Sequence, residues 1–289
     1  FYLNSRIEKI NCSYKKGKKK ILKRNNKAYK RFSDHIGLLP LVIISPSDRD
    51  LISEGSNIRR KFVDSIIGQI NKHYLVNIIN YNKLIIQRNA LLKYFSTNMT
   101  FNLETLSIYN EQIEFLGKKI YLERKNFLKI FIPIFEKQFK SFSHGNENVS
   151  IDYKSDLHYH DYKSLFNANL EKDKKTNLTN SGVHKDDLSF KIHGESIKNF
   201  GSQGQQKSFL IALKLAQFNF IKKESSVLPI ILLDDVFDKL DQKRVELIMQ
   251  LIEKNNFGQL FLSDTHHERT IKAIKTTKLS YSVFNLPID

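Results

Sequence analysis

Apolar side chains in the middle third of the chain recur every three or four residues. Ile58, Phe62, Ile66, Ile70, Tyr74, Ile78, Tyr81, Ile85 and Leu92 form one stripe, and Leu106, Tyr109, Ile113, Leu116, Ile120, Phe127, Phe131 and Phe135 form a second. That period is one face of an α-helix. The polar loop near Thr97 to Asn102 joins the two stripes, which predicts antiparallel helices with buried seams. Pro133 should kink or end the second helix. The pattern shortens on either side. Ile7 to Ile21 alternates loosely around Lys15-Lys16-Gly17-Lys18 and reads as a hairpin, and Leu41 to Ser45 reads as a short buried strand. Val183 to Phe190 and Ile192 to Ile197 read as a second hairpin around Gly194. Between arm and hairpin, His144 to Asn180 is polar and rich in Lys, Asn and His, and reads as a linker with one modest helix near Asp161 to Leu170. A strong helix is predicted over Lys207 to Lys222, then strands at Pro229 to Leu233, Gln259 to Ser263 and Tyr281 to Leu286, with a helix over Gln242 to Lys254.

The chemistry concentrates in that last part. The apolar run ending at Leu233 is followed by Asp234-Asp235, and the C-terminal edge of a buried parallel strand is where α/β sheets bind ligands. Asp234 suits a Mg2+ ion, which takes one or two protein carboxylates plus water and phosphate oxygens. Asp235 suits orienting or deprotonating an attacking water. Two successive carboxylates would otherwise put uncompensated charge near a core. Upstream, Ser202-Gln203-Gly204-Gln205 opens the predicted helix, where free backbone N–H groups and the positive dipole end favour a phosphate, although a plain Ser cap explains the same residues.

The order of these pieces resembles the second half of an ABC-type ATPase head. In that resemblance Ser202 to Gln205 is the signature loop, Asp234-Asp235 the Walker B end, Asp241 the D-loop aspartate and His266 the switch histidine. Pro46-Ser47-Asp48, Leu51-Ile52, Gly55, Arg59-Arg60, Phe62-Val63-Asp64, Tyr81-Asn82, Gln87 to Lys93 and Gly182 to Leu188 resemble further segments of one family, the bacterial recombination mediator RecF. Ser47 stands where that family usually has Glu, and Asp238-Lys239 where it prefers a small residue then Glu. The resemblance implies an α/β fold, a partial ABC-type ATPase head with an inserted helical arm of antiparallel helices. Residues 1–45 would be the remainder of the N-terminal head lobe, 46–143 the arm, 144–180 the linker and 181–289 the C-terminal part of the head. It also implies ATP and Mg2+ as cofactors, held between two protomers, with Ser202, Gly204 and Gln205 of one clamping the γ-phosphate bound by the other. The implied partners are single-stranded and junction DNA, a second copy of the chain, and mediators of RecO and RecR type. Asp235, one methylene shorter than the Glu of most ABC proteins, implies slow hydrolysis.

A phosphate-cradling Gly-x-x-x-x-Gly-Lys-Ser/Thr segment is absent from these 289 residues. Gly17-Lys18 has Cys12 and Lys19 at the flanking positions, and Gly117-Lys118 has Gln112 and Lys119. In RecF relatives that loop lies ahead of the part resembling Phe1, so the expectation is a fragment, or a split or decayed gene product, that does not hydrolyse ATP alone.

Composition changes the picture in two ways. A net charge of +17 favours a polyanionic partner, but lysine exceeds arginine and Asn, Ile and Tyr are plentiful, a bias that AT-rich coding also produces. Lys18, Lys19 and Lys20 on the first hairpin, with Arg59 and Arg60, are the DNA-contact candidates, against solvated edge lysines and pairing with carboxylates, respectively. His158 and His160, without a cysteine nearby, do not read as a metal site. The single cysteine, Cys12, and the lack of an apolar run of membrane length point to a reducing cytoplasm and no membrane partner.

Overall fold

The computed structural model describes residues 1–3, 6–142, 147–235, 245–246, 249–250, 253 and 258–285. The chain opens with a small ribbon of β1 (Tyr2–Leu3) and β2 (Arg6–Ile7), then a meander of β3 (Ile10–Ser13), β4 (Ile21–Arg24) and β5 (Lys27–Ala28). The predicted first hairpin is the β3–β4 pair, with Cys12 opposite Leu22 and the lysine-rich turn between them. After β6 (Leu41–Ile44) a 3-10 turn, Pro46–Arg49, leads into α1 (Asp50–Ser53), α2 (Ser56–Ile70) and α3 (Lys72–Thr97). The first apolar stripe is thus carried by two helices. Asn71 breaks them, its extended backbone and its side chain, which accepts from the Tyr74 N–H, forming the cap of α3. It falls between stripe members, so the period runs on undisturbed across the break.

The second stripe is one helix, α4 (Leu103–Phe142), antiparallel to α3. Pro133 lies inside it and does not end it. Pro133 is exposed while Phe131, Phe135 and Phe139 are buried, so core contacts hold the helix through the missing backbone bond. There follow β7 (Val149–Lys154), α5 (Tyr162–Thr176), β8 (Asp187–Ile192) and β9 (Glu195–Ser196). Where a linker was expected, residues 149–176 are therefore packed: β7 pairs antiparallel along the whole of β8, and α5 buries Tyr162, Leu165, Phe166 and Asp173. The apolar residues are few, but Ile151, Tyr162, Leu165 and Phe166 are all buried. The second hairpin turns at His193 and Gly194, both at positive φ as a tight primed turn requires, and it is shorter than the pattern suggested. Ile197 already belongs to α6 (Ile197–Phe200).

The predicted strong helix is α7 (Gln203–Glu224), buried on nearly every side from Ser208 to Phe218. It lies between α4 and a parallel sheet in which β10 (Ile230–Asp234) runs between β6 and β11 (Gln259–Ser263). Val42, Ile44, Ile231 and Leu233 of that sheet join the same core as Phe209 and Phe220 of α7 and Phe127 and Phe135 of α4. Phe127 meets Phe220 edge-on at 4.8 Å, and Phe135 meets Phe209 at 4.6 Å. The helical arm is thus rooted in the core of the sheet. Its far end carries a separate small cluster of Leu92, Phe95 and Leu106. The last helix among the described residues is α8 (His267–Lys275). Of the strand expected over Tyr281 to Leu286, Leu286 lies outside the described residues, and residues 281–285 join no ladder among the described residues; Tyr281 and Val283 stay half exposed. No helix among the described residues is long and apolar enough to cross a membrane.

Candidate functional site

Because β6, β10 and β11 are parallel and in register, their C-terminal ends deliver three loops to one edge of the sheet. Asp234 ends β10, is exposed, and accepts a 2.6 Å hydrogen bond from the Ser263 hydroxyl at the end of β11. Asp235 turns the chain with φ +48, a left-handed conformation that Asp tolerates, and its N–H donates to the Ser263 carbonyl at 3.0 Å. From β11 the chain passes Asp264, whose carboxylate accepts from the His266 N–H at 2.7 Å, and exposed His266 begins α8. β6 brings Ser45 and Ser47 to the same edge, their hydroxyls 2.8 Å apart. Asp234 and Asp235 leave this edge from β10, and the loop that leads to His266 leaves it from β11. Ser263 and Ser45 were not foreseen; strand register alone places them there. The donor set fits a hard divalent cation: an exposed carboxylate beside a hydroxyl leaves most positions to water and phosphate. Among the described residues there is no cluster of three or more His, Cys, Asp or Glu side chains fit to enclose a metal. Asp241, the predicted D-loop residue, lies outside the described residues, as does most of the predicted helix Gln242 to Lys254.

The signature segment is built elsewhere. Ser202 caps α7, accepting from the Gln205 N–H at 3.2 Å, while the Gln205 side chain accepts from the Ser202 N–H at 2.8 Å. Gln205 also donates to Glu147 at 2.7 Å, and Gln206 braces the turn by donating to the carbonyls of Ile197 and Gly201. Gly201 is required: a Cβ there would stand 2.7 Å from the Ile197 carbonyl oxygen. Ser202 and Gln203 are exposed and Gly204 is half-buried, at a helix start where backbone N–H groups lack helical partners. Lys214 fixes the helix against the sheet edge through a 2.7 Å ion pair with Asp48, just past β6. Twelve residues of α7 separate Lys214 from Ser202, about 18 Å at 1.5 Å per residue. Ser202 to Gln205 therefore lie a long way along α7 from the residue pinned at that edge.

The basic candidates divide. Lys18, Lys19 and Lys20 are exposed on the β3–β4 connection, with the Lys20 ammonium 5.7 Å from the Tyr14 ring centre. Arg59 is committed inside the protein: its fork donates twice to Asp187, at 2.7 and 3.0 Å, and its remaining nitrogen to the carbonyls of Leu51 and Glu54. Arg60 donates to the Asp186 carbonyl at 2.6 Å, and burial, followed by the like charge of Arg124, lowers its pKa. Arg59 thus pairs with a carboxylate, whereas Arg60 spends its hydrogen bond on a backbone carbonyl.

Several motif residues that carry no site chemistry meet in a buried polar network. Arg124 of α4 holds Asp64 through both carboxylate oxygens, Asp186 at 3.0 Å and the Val183 carbonyl at 2.7 Å. Arg88 of α3, fully buried, pairs with equally buried Asp173 at 2.7 Å and donates to Thr179 at 2.9 Å, whose N–H and hydroxyl both reach Asn89. His184 bonds Tyr81 and the Thr179 carbonyl. The segments at Arg88-Asn89 and Gly182 to Asp187 thus staple the arm helices to β8. Buried Asp, Arg and His with mutual partners are the signal, and it appears only once the fold brings them together.

No protein-family model matches the chain. Over 283 residues it is 58% identical to the DNA replication and repair protein RecF of Flavobacterium johnsoniae, covering 98% of this chain and 79% of that protein. The RecF of Bacteroides thetaiotaomicron is 41% identical over 279 residues, 96% of this chain and 75% of the relative. The chain belongs to the RecF family of DNA replication and repair proteins. Two solved structures of the recombination mediator RecF in the RecFOR pathway, one with ATP and one with ATPrS, superpose with TM-scores of 0.80 and 0.78 at 28% and 29% identity. Each covers 90% of this chain and 71% of the solved one. The expected architecture, an ABC-type ATPase head bearing long antiparallel helices, is the one found.

Proposed function

We propose that this RecF-family chain carries the carboxylate and signature halves of an ATP site that is completed between two protomers. The reading rests on one observation: the signature loop lies about 18 Å along α7 from the residue that pins that helix to the sheet edge. A ligand bound at Asp234 and Asp235 therefore meets a signature loop from a second copy. On this reading Asp234 holds Mg2+, Ser263 steadies that carboxylate, Asp235 positions the lytic water, His266 senses the γ-phosphate and Asp241 contributes from its loop. Ser202, Gln203, Gly204 and Gln205 of the partner clamp the phosphate through backbone N–H groups at a helix start. Mg2+ would supply charge neutralisation of the phosphates.

ATP then acts as the glue of a dimer, and slow hydrolysis releases it. The dimer binds DNA at single-strand/double-strand junctions, with Lys18, Lys19 and Lys20 on phosphates, and acts with RecO- and RecR-type mediators to load recombinase on gapped DNA. The 289-residue chain alone should bind Mg-ATP weakly, since no Gly-x-x-x-x-Gly-Lys-Ser/Thr segment lies within it.

A mixing experiment on the full-length gene product tests the shared site. Ser202→Arg and Asp235→Asn protomers should each fail to hydrolyse ATP. Mixed, they should recover activity, because one composite site per heterodimer is intact. Absence of recovery, with both variants folded and dimerising, would overturn the trans reading. Micromolar Mg-ATP affinity of the 289-residue chain alone would overturn the requirement for further phosphate-binding residues.

A further inference from the structure

The tip of the helical arm departs from the usual chemistry of a helix end. α3 finishes in a Schellman turn, in which the Thr100 N–H donates to the Phe95 carbonyl at 3.0 Å and the Met99 N–H to the Ser96 carbonyl at 3.4 Å. The residue that reverses the chain has φ +52, a left-handed conformation that glycine adopts freely and other residues only at a cost. That residue is Met99, and it is 95% exposed, so contacts within the chain do not offset the cost. Tyr94, Phe101, Leu103 and Leu178 are 60%, 41%, 55% and 50% exposed. They share one end of the arm, because α5 finishes there: Leu170 packs on Leu92, Phe95 and Leu106, and the Lys174 ammonium sits 4.7 Å from the Phe101 ring centre. Phe101 in turn meets Phe95 edge-on at 5.4 Å. A buried apolar cluster thus carries an apolar cap in water, the mark of a contact surface.

Charge and side-chain type select the occupant. Lys93, Lys172 and Lys175 are exposed at the ends of α3 and α5 and pair with no carboxylate among the described residues. The carboxylates of the same segments are Glu104, exposed at the start of α4, Glu171, held by Lys174 at 2.8 Å, and Asp173, buried on Arg88. The rim is basic in sum. A basic rim alone would suit nucleic acid, but bases stack on aromatic rings, whereas Met99, Leu103 and Leu178 offer the adaptable thioether and aliphatic groups that seat protein side chains. We infer that the arm tip is a docking site for a partner protein, which packs apolar side chains on Met99 and sets acidic residues against Lys93, Lys172 and Lys175. An apolar centre inside a charged rim is the anatomy of such a contact. None of these residues lies at the sheet edge or on the signature loop, so the inference stands apart from the composite ATP site.

Fluorescence anisotropy on the full-length gene product tests this with three labelled probes: a helical peptide of Leu, Phe and Glu, its counterpart with Lys for every Glu, and an oligothymidylate. The acidic peptide should bind without nucleotide, more weakly as salt rises, and the lysine peptide should not bind. Met99→Gly separates docking from folding. Glycine takes this backbone conformation freely, so the urea unfolding midpoint should stay or rise, while affinity for the acidic peptide should fall about tenfold with the apolar anchor. Lys93→Glu, Lys172→Glu and Lys175→Glu together should shift the preference to the lysine peptide and leave ATP hydrolysis at the parent level. Affinity for the acidic peptide that is absent, or indifferent to both variants, would overturn the proposal. So would oligothymidylate affinity that falls in both variants while peptide affinity does not, which would assign the tip to nucleic acid.

Discussion

Lys214, midway along α7, donates to Asp48 at 2.7 Å, and both side chains are largely buried. The other oxygen of Asp48 accepts the Ser45 N–H at 2.9 Å, so one carboxylate closes the turn after β6 and holds α7 against the sheet. Lys214→Met strands Asp48 in a half-dry site and should cost about 1.5–3 kcal/mol. Urea unfolding of the variant against the parent chain reads the loss directly. Asp48→Asn, which keeps the bond to Ser45, should cost less than Asp48→Ala.

The two groups of basic candidates should separate in one pair of measurements. Replacing Lys18, Lys19 and Lys20 by Ala removes only exposed charges, so the unfolding midpoint should stay put while the salt dependence of DNA binding flattens by up to about 0.9 per lost phosphate contact. Arg59→Ala removes four internal hydrogen bonds and leaves Asp187 unpaired, and should lower stability by about 2–4 kcal/mol. Nitrocellulose binding at several salt concentrations, beside urea unfolding, checks both. An Arg59→Ala variant of unchanged stability and weakened DNA binding would reverse the assignment.

What was legible in the sequence was whatever depended on local period. The stripes of α2, α3 and α4, the apolar run of β10 before its two aspartates, and the capped start of α7 follow from spacing and from a few residue types. What was hidden depended on partners distant in the chain. β7 has a weak pattern of its own and becomes a strand because β8, more than thirty residues later, supplies its hydrogen bonds from Asp187 to Ile192. Asp173, in a polar stretch with no pattern to mark it, is fully buried, because Arg88 offsets its desolvation with a charge. Likewise Tyr281 and Val283 alternate like a strand and join no ladder among the described residues, since alternation is only half of what a strand needs. The site edge was legible at Asp234 and Asp235 but not at Ser263, a hydroxyl recruited purely by register.

Gly117 was conspicuous in the sequence as half of a Gly-Lys pair, and the fold gives it a different task. It sits on the buried side of α4, where a Cβ would overlap the Tyr162 hydroxyl and stand 2.8 Å from Cε2 of that ring. Tyr162 has nowhere to retreat: it is 0% exposed, receives the Val183 N–H at 3.3 Å and reaches Tyr81 at 3.4 Å. Gly117→Ala should therefore destabilise by about 1–3 kcal/mol, against the usual helix gain of up to about 1 kcal/mol. In a Tyr162→Ala background the same substitution should be neutral or stabilising. A thermodynamic cycle on the four proteins gives the coupling, and additive effects would contradict the packing.

Protonation of His184 should set an acid limit on the arm. Its Nε2 lies 2.9 Å from the Thr179 carbonyl, which can only accept, so Nδ1 accepts from the Tyr81 hydroxyl at 2.9 Å and the ring is neutral. Burial pushes its pKa down from 6.5 to about 4. The folded state then binds fewer protons than the unfolded one between those values. Its contribution is intact above about pH 6.5 and is lost progressively as the pH falls towards 4, amounting to about 2 kcal/mol at pH 5 relative to pH 7.5. His184→Gln can still donate to Thr179 and accept from Tyr81 without titrating. The stability difference between parent and variant, measured by urea unfolding across this range, cancels every other ionisable group. It should narrow in the variant's favour as the pH drops from 7 to 5, and a constant difference would show that the ring does not titrate with folding.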